Sequence, residues 1–255
     1  MTFDCDFHMH TDASDGRAKV ADMIAAAKER GLRQIAVTDH SFSSIICHQT
    51  AEKFEAQHAE IEAESDGSIK IFQGIEANLV GEDGAIDVPD DIIRRCDVLI
   101  AGFHRFVALA FKREARKFVL VNGFAPEWRR QKLKELNTAV FLSAIEKYPI
   151  DVIAHLGHRT PVDYGAICRA CKDKDVYIEL NEKHILDTKG IGEAMDDVIA
   201  SGVRFIVGSD AHRANRVGKF DNVRTFIEKY GVPLERVYGI DGRMPTFKDK
   251  SEWKS

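Results

Sequence analysis

Short apolar runs alternate along the chain with longer segments of helical periodicity. The apolar runs are rich in β-branched residues and predict strands at residues 4–8, 33–40, 68–77, 97–104, 151–158, 175–181 and 203–212. The segments between them predict helices at residues 19–30, 51–64, 89–95, 131–147, 162–172, 192–201 and 221–230. Each predicted strand is therefore followed by a predicted helix.

This alternation favours a parallel sheet, because strands separated by helices pair through right-handed crossovers. A long series of such units either closes into a barrel or forms an open, doubly wound sheet. No glycine-rich dinucleotide fingerprint follows the first strand, which disfavours the doubly wound nucleotide-binding fold. We therefore predict an α/β fold, a seven-unit (β/α) barrel in a single domain over residues 1–245, with a C-terminal tail at 246–255.

Composition narrows the class of protein. A chain of 255 residues with a net charge of −5 fits one domain and offers no overall case for nucleic-acid binding. Its five scattered cysteines indicate no disulfide framework, and Cys168 and Cys171 lack the second pair that a structural zinc site needs. The first residues carry no basic, apolar leader, and no apolar run approaches the roughly 18 residues that span a bilayer. We expect a cytoplasmic protein without membrane contact; nothing in the sequence identifies a subunit interface.

Imidazole and carboxylate side chains recur where the predicted strands end. They are His8, His10, His40, Glu76, His104, His155, Asp210 and His212. The C-terminal ends of the strands of a β/α barrel converge on one face, so these side chains should meet in one mouth. Any one of them could be an ordinary hydrogen-bonded core residue, but their recurrence at six strands predicts a metal cluster. These side chains are ligands for zinc, iron and manganese, and Asp15 lies close by in the sequence.

A basic insertion follows His104 directly. Residues 105–134 contain nine Lys or Arg and two acidic residues. One hypothesis is a flap over an anionic substrate, in which Arg113 and Arg116 hold phosphate, because arginine binds phosphate bidentately. The alternative is a solvated helix whose apolar positions pack on the barrel or on another subunit.

Three further residues near the predicted ligands each have two interpretations. His158 and Arg159 follow His155 and could contact a phosphate, or they could be ordinary loop residues. Asp39 precedes His40 and could orient its ring, as outer carboxylates commonly do, or it could simply terminate the strand.

Six motifs, spread in order over the whole chain, carry a family resemblance. They are HMHTDASDG (8–16), TDH (38–40), GIEAN (74–78), AGFH (101–104), AHLGH (154–158) and GSDAH (208–212). Together they resemble the PHP (polymerase and histidinol phosphatase) family, and within it the stand-alone bacterial phosphoesterases of the YcdX type. The resemblance implies a distorted (β/α)7 barrel with a trinuclear metal site.

The resemblance also implies a ligand set for three divalent ions, which are zinc, manganese or iron. The first ion would be held by His8, His10, Glu76 and Asp210; the second by Glu76, His104 and His155; the third by Asp15, His40 and His212. Asp15 departs from the closest pattern, in which a histidine stands at the position of Gly16, although other members use the aspartate.

These expectations lead to a reaction class. Neighbouring cations lower the pKa of a bridging water toward neutrality, so His40, Glu76 and Asp210 would act through a metal-bridging hydroxide. The substrate expected is a small anionic phosphorylated metabolite or nucleotide. Two alternatives stay open. One is a nuclease acting on nucleic-acid ends, which the confinement of positive charge to one insertion disfavours. The other is an amidohydrolase-type hydrolase, which would carry a lysine where His104 stands.

Overall fold

A computed structural model describes residues 1–43, 49–104 and 130–254. Within them, eight strands form one parallel sheet in chain order: β1 (Cys5–Asp6), β2 (Gln34–Val37), β3 (Lys70–Asn78), β4 (Val98–Gly102), β5 (Val152–Ile153), β6 (Tyr177–Asn181), β7 (Arg204–Gly208) and β8 (Val237–Tyr238). The predicted fold class, a parallel α/β barrel in a single domain, is confirmed.

Helices lie between the strands, as the periodicity predicts. They are α1 (Val20–Glu29), α2 (Ala51–Glu64), α3 (Asp90–Ile93), α4 (Arg130–Lys147), α5 (Tyr164–Asp173), α6 (Met195–Ala200) and α7 (Asp221–Tyr230). Side chains cap two of them: Thr50 accepts from Lys53 N at α2, and Asp163 accepts from Ala166 N at α5. Among the described helices, none is long and apolar enough to cross a bilayer.

The sheet curls until β1 meets β7. Phe7 N donates to Val207 O at 3.2 Å, and Met9 forms a parallel bridge with Ala211. The sequence did not predict β8, which lies between β1 and β7 nearer the N-terminal ends of the strands. It pairs with β7, and on its other side Asp4 N donates to Gly239 O at 2.8 Å. A two-residue strand is too short to show a period, so the sequence pattern could not reveal it.

Apolar side chains from nearly every strand fill the inside of the barrel. They are Cys5, Phe7, Ala36, Val98, Ile100, Val152, Ala154, Tyr177 and Ile206. Successive strand residues face opposite sides, so every second position continues the interior row toward the C-terminal end. The row of Ile100 leads to His104, and that of Ile206 leads to Asp210. The barrel core therefore aims His104 and Asp210 into its mouth. Cys168 and Cys171 lie apart from it, buried on α5 in the layer between sheet and helices.

C-terminal residues close the opposite end of the barrel. The Phe247 ring lies 5.5 Å from that of Phe7 and 5.0 Å from that of Phe72, between centroids. Beside it, the buried Lys250 ammonium lies 2.6 Å from the buried Asp151 carboxylate, whose oxygens also accept from Leu99 N and Lys248 N. Residues 246–250, predicted as part of a tail, thus form the floor of the barrel.

We predict that Lys250→Met destabilises the fold by about 3–5 kcal/mol, because it leaves the Asp151 carboxylate buried without its cation. The free energy of unfolding is to be measured by urea denaturation in excess chelator, which removes any contribution from bound metal. The exposed Lys254→Met is the matched control and should change stability by less than about 0.5 kcal/mol. Equal stability of the two variants would contradict this account of the floor.

Candidate metal centre

The eight strand-end side chains and Asp15 meet at one mouth of the barrel. Glu76 lies within β3; the others lie on segments beyond the strand ends, at His8, His10, Asp15, His40, His104, His155, Asp210 and His212. Regular strand pairing stops two to four residues before each strand-end histidine and before Asp210, earlier than the apolar runs predict. His40 and Glu76 form an isolated parallel bridge, so the chain there stays extended without continuing the strand.

Buried carboxylates replace the missing backbone partners at this end of the sheet. Asp6 accepts from Ser209 N at 2.9 Å, Asp39 from Thr11 N at 2.7 Å, Asp87 from Ser43 N at 3.0 Å and Glu179 from His155 N at 2.8 Å. Buried backbone N–H groups need a partner, so each carboxylate holds a segment that the strand ladder no longer holds. The mouth is therefore ordered by side chains where strand pairing ends.

The Glu76 carboxylate is the centre of the cluster and is 1% exposed. Its Oε1 lies 3.3 Å from His8 Nε2, 3.3 Å from His104 Nε2 and 2.9 Å from His155 Nε2. Its Oε2 lies 2.9 Å from His40 Nδ1 and 3.6 Å from His10 Nε2. The two oxygens thus face two different groups of imidazoles.

Two further carboxylates lie beside His212. Asp15 Oδ1 is 3.2 Å from His212 Nε2 and 3.6 Å from His40 Nε2. Asp210 Oδ1 is 3.3 Å from His212 Nδ1 and 3.5 Å from His10 Nε2. The structure brings Asp15 into the group, although this chain has Gly16 where the YcdX-type resemblance leads us to expect a histidine.

Charge and burial set the protonation of these groups. Burial alone would raise the pKa of Glu76, but His104, His8 and His40 hold it well below its ordinary value. Burial likewise opposes ionisation of Asp210, yet His10 and His8 keep its pKa well below the usual range. The carboxylates are therefore anionic.

The imidazoles divide into two kinds. Burial, reinforced by His40, lowers the pKa of His10 to about 3, and burial lowers that of His104. Burial would also lower the pKa of His8, but Glu179 and Glu76 raise it well above normal. The lowered pKa favours the neutral form of His10 and His104, in which one ring nitrogen carries a lone pair, whereas the raised pKa favours the protonated form of His8.

Among the described residues, several buried polar atoms of the cluster lack a hydrogen bond of acceptable geometry. His10 Nδ1, Asp15 Oδ1 and Glu76 Oε2 are buried and make no hydrogen bond among the described residues. His8 Nε2 lies 3.1 Å from His10 Nε2, and His104 Nε2 lies 3.2 Å from His155 Nε2. Three sets of donor atoms lie within 4.8 Å of one another: His10, Asp15, His40 and His212; His8, His10 and Glu76; His40, Glu76 and His104. Buried, converging imidazole and carboxylate donors of this kind fit divalent ions.

Two residues that the sequence analysis did not single out orient these rings. Glu179 Oε1 lies 2.7 Å from His8 Nδ1, while its Oε2 accepts from His155 N and Asn181 Nδ2. Asn78 Oδ1 lies 2.6 Å from His104 Nδ1. The sequence carried one signal that could have revealed Glu179 and Asn78: each is a polar residue at an inward-facing position of an otherwise apolar strand. Gly208 makes room for Glu179, since a Cβ there would lie 2.1 Å from Glu179 Oε1.

Asp39 has a different role from the one that its position beside His40 suggests. Its carboxylate accepts from Thr11 N at 2.7 Å and Thr11 Oγ1 at 2.5 Å, and also from Ser14 Oγ and Gln57 Nε2. It therefore fixes the loop that leads to Asp15, and the hypothesis that it orients the His40 ring is wrong.

His158 and Arg159 lie beside the cluster with two residues that follow β6. The His158 ring stacks on that of His184 at 3.9 Å between centroids, and His184 Nε2 lies 3.5 Å from Asp210 Oδ2. Lys183 Nζ lies 3.2 Å from Asp210 Oδ1, while Arg159 is exposed at the rim. Sequence reasoning gave no role to Lys183 or His184, because the motif NEKH repeats no pattern seen at the other strands. Arg113 and Arg116, with most of the basic insertion, lie outside the described residues.

Backbone strain coincides with two of the predicted ligands. His155 has φ +31° and Asp210 has φ +52°, both in the left-handed region that non-glycine residues seldom adopt. Such conformations cost about 1–3 kcal/mol each, and they persist where surrounding contacts over-determine them. Glu179 supplies such a contact by holding His155 N.

Comparisons with known proteins agree with this geometry. The model of the PHP domain family matches residues 6–235. A probable phosphatase of Citrobacter koseri is 30% identical over 250 residues, 95% of this chain and 92% of the relative. A probable phosphatase YcdX of Escherichia coli is 28% identical over 245 residues, 93% of this chain and 90% of the relative.

Among solved structures, a histidinol phosphate phosphatase of Lactococcus lactis, determined with zinc, L-histidinol and phosphate, matches with a TM-score of 0.62 at 18% identity and covers 100% of both chains. At that identity the match shows a shared fold. The family model spans nearly the whole chain, and the resemblance carried by the six motifs is confirmed: this chain belongs to the PHP domain family.

Proposed function

We propose that this protein is a metal-dependent phosphoesterase that hydrolyses a small phosphorylated metabolite or nucleotide at a trinuclear site of zinc, manganese or iron. The observation that supports it most is the buried Glu76 carboxylate, which has five imidazoles within 3.6 Å. Asp15 and Asp210 add two further negative charges beside His212. Such a site has more nitrogen and oxygen lone pairs than the N–H groups around it can satisfy.

The ligand assignment follows the sequence proposal. His8, His10, Glu76 and Asp210 would hold one ion, Glu76, His104 and His155 a second, and Asp15, His40 and His212 a third. When bound, the ions would polarise the phosphoester and activate water, which is why His40, Glu76 and Asp210 are proposed as catalytic. The protein's own part is to hold the donor atoms in place, because phosphoryl transfer needs positioning and charge stabilisation more than covalent chemistry.

Cationic and imidazole groups on one side of the mouth would bind the substrate. Lys183 Nζ is half-exposed beside Asp210, and His158 and Arg159 lie on the neighbouring loop. We propose that these residues contact the phosphate, and that Arg113 and Arg116 of the insertion do so as well. The curated relatives named as probable phosphatases, and the phosphate bound to the Lactococcus protein, support this substrate class.

The amidohydrolase-type alternative has less support. His104 stands where that type of enzyme would carry a bridging lysine, and its Nε2 is 3.3 Å from Glu76 Oε1. The residue there is a histidine whose ring nitrogen can bind a metal, and the bridging lysine of the amidohydrolase type is missing. We therefore retain the phosphoesterase as the proposed function.

We predict that the purified protein carries two to three equivalents of divalent metal, and that chelation abolishes p-nitrophenyl phosphate turnover until metal is restored. Glu76→Gln should lower bound metal and turnover by at least about 100-fold, since it removes the anion that the imidazoles surround. The exposed Glu62→Gln is the matched control and should resemble the wild type.

Elemental analysis and a phosphometabolite screen that includes 5′-phosphorylated oligonucleotides would test this. One equivalent of metal or fewer, with no hydrolysis under zinc, manganese or iron, would contradict the phosphoesterase. Preferred turnover of the oligonucleotides would instead favour the nuclease.

Glu179→Gln should weaken metal binding by roughly 10–100-fold. The Glu179 carboxylate accepts from His8 Nδ1 on one oxygen and from His155 N and Asn181 Nδ2 on the other. An amide in either orientation sets its own N–H groups against one of these donors, so one contact is lost. Cobalt titration of the metal-free variant measures the effect, and the exposed Glu193→Gln is its control. Unchanged affinity in Glu179→Gln would show that His8 needs no orienting carboxylate.

Lys183→Met should raise KM by roughly 10–100-fold with a smaller effect on kcat, the size expected for one hydrogen bond from a charged group to phosphate. Lys189→Met, an exposed lysine a few residues further along, is the control. Steady-state kinetics with a saturating metal supply separates the two constants. If the KM of Lys183→Met matched that of Lys189→Met, Lys183 would have no part in substrate binding.

A further inference from the structure

A buried chain of polar groups leads from Asp87 to the ring of His104. Asn78 is 1% exposed and Asp87 is 6% exposed. Asn78 Nδ2 donates to Asp87 Oδ2 at 2.7 Å and to Ser41 Oγ at 2.9 Å, and Asn78 Oδ1 lies 2.6 Å from His104 Nδ1. Asn78, Asp87 and Ser41 are not among the proposed metal ligands, and only Asn78 contacts the His104 ring directly.

The Asp87 carboxylate is surrounded by donors. It accepts from Ser41 Oγ at 2.5 Å, from Ser43 N at 3.0 Å and from Asn78 N at 2.7 Å, and also from Ser43 Oγ. Each of these groups donates a hydrogen bond to the carboxylate, and Asp87 itself donates none. Asp87 therefore presents only oxygen lone pairs to the Asn78 side chain. The amide must therefore turn its NH₂ group toward Asp87, which leaves Asn78 Oδ1 facing His104.

This orientation determines the tautomer of His104. An acceptor at 2.6 Å requires the proton to be on His104 Nδ1. His104 Nε2 is then a lone pair, and it points at Glu76 Oε1 at 3.3 Å and at His155 Nε2 at 3.2 Å. The alternative tautomer would place a proton on Nε2, where a cation is proposed to bind.

We propose that Asp87 and Asn78 are positioning residues that hold His104 in its Nδ1–H tautomer, with the Nε2 lone pair facing the metal centre. Asp87 acts through Asn78, which acts through His104, and neither carboxylate nor amide contacts the reacting atoms. The step from tautomer to metal binding rests on the proposed function, in which His104 is a ligand; the tautomer itself does not.

The tautomer can be observed directly in metal-free protein. Long-range ¹H–¹⁵N correlation of histidine-labelled protein in excess chelator distinguishes the two forms, and His104→Gln assigns the signal. We expect wild-type His104 to be the Nδ1–H form. A wild-type ring in the Nε2–H form would overturn the proposal without need of any variant.

Three variants test the chain of contacts. Asp87→Asn lets the Asn78 amide rotate, and Asn78→Leu removes the acceptor, so both should populate the Nε2–H form. Asn78→Asp sets a second carboxyl group against Asp87, so one of the two binds a proton. This variant still has an acceptor oxygen opposite His104 Nδ1 and should keep the wild-type tautomer. Asp83→Asn, on an exposed residue four positions before Asp87, is the control for the charge change. Asn78→Leu and Asp87→Asn break the same chain at different links, so failure of one to fold leaves the other.

Cobalt binding to the same proteins links the tautomer to the metal centre. We expect one of the bound equivalents to weaken by roughly 10–100-fold in Asp87→Asn and Asn78→Leu, but not in Asn78→Asp or Asp83→Asn. An unchanged tautomer in both Asp87→Asn and Asn78→Leu would overturn the proposal. A tautomer that changes as expected while all cobalt sites keep their affinity would support the positioning role and instead refute His104 as a ligand.

Discussion

The buried carboxylate of Glu76 is the constraint on which the rest of the site depends. Removing an anion from water costs several kcal/mol unless opposite charge or hydrogen bonds compensate it. Here five imidazoles surround it, brought by strands that are far apart in sequence. The surrounding nitrogens hold its pKa low, and it in turn raises the pKa of His8 and His40. Anion and imidazoles therefore stabilise each other's charge in this pocket, and a divalent cation would satisfy both.

The rigidity of the mouth comes from carboxylates rather than from the sheet. Asp6, Asp39, Asp87 and Glu179 each hold a backbone N–H beyond the last paired strand residue. Two of them extend to the rings themselves, Glu179 directly and Asp87 through Asn78. The proposed ligand side chains can thus lie on irregular segments without losing their position. The strained backbone of His155 and Asp210 is tolerated for the same reason.

The two ends of the barrel use related devices for different purposes. At the floor, the buried Asp151 carboxylate is paired with Lys250 and with two backbone N–H groups, so its charge is internally neutralised. At the mouth, Glu76 and Asp15 keep oxygen atoms without a hydrogen-bond partner among the described residues. The floor is a closed arrangement that stabilises the fold, and the mouth retains capacity for ligands. This division agrees with the general rule that stability and chemistry lie at opposite faces of β/α barrels.

The sequence by itself determined the alternation of strands and helices, the bounds of α2 and α7, and the convergence of the histidines, because periodicity and strand direction are local properties. The six motifs also sufficed to identify the family. The tertiary structure alone decided that β8 enters the seam, that residues 246–250 form the floor, and that Asp39 holds a loop instead of a ring. It also decided which ring nitrogen of His8 and His104 faces the centre, through Glu179 and Asn78. Those outcomes depend on contacts between side chains distant in sequence, and no local period encodes them.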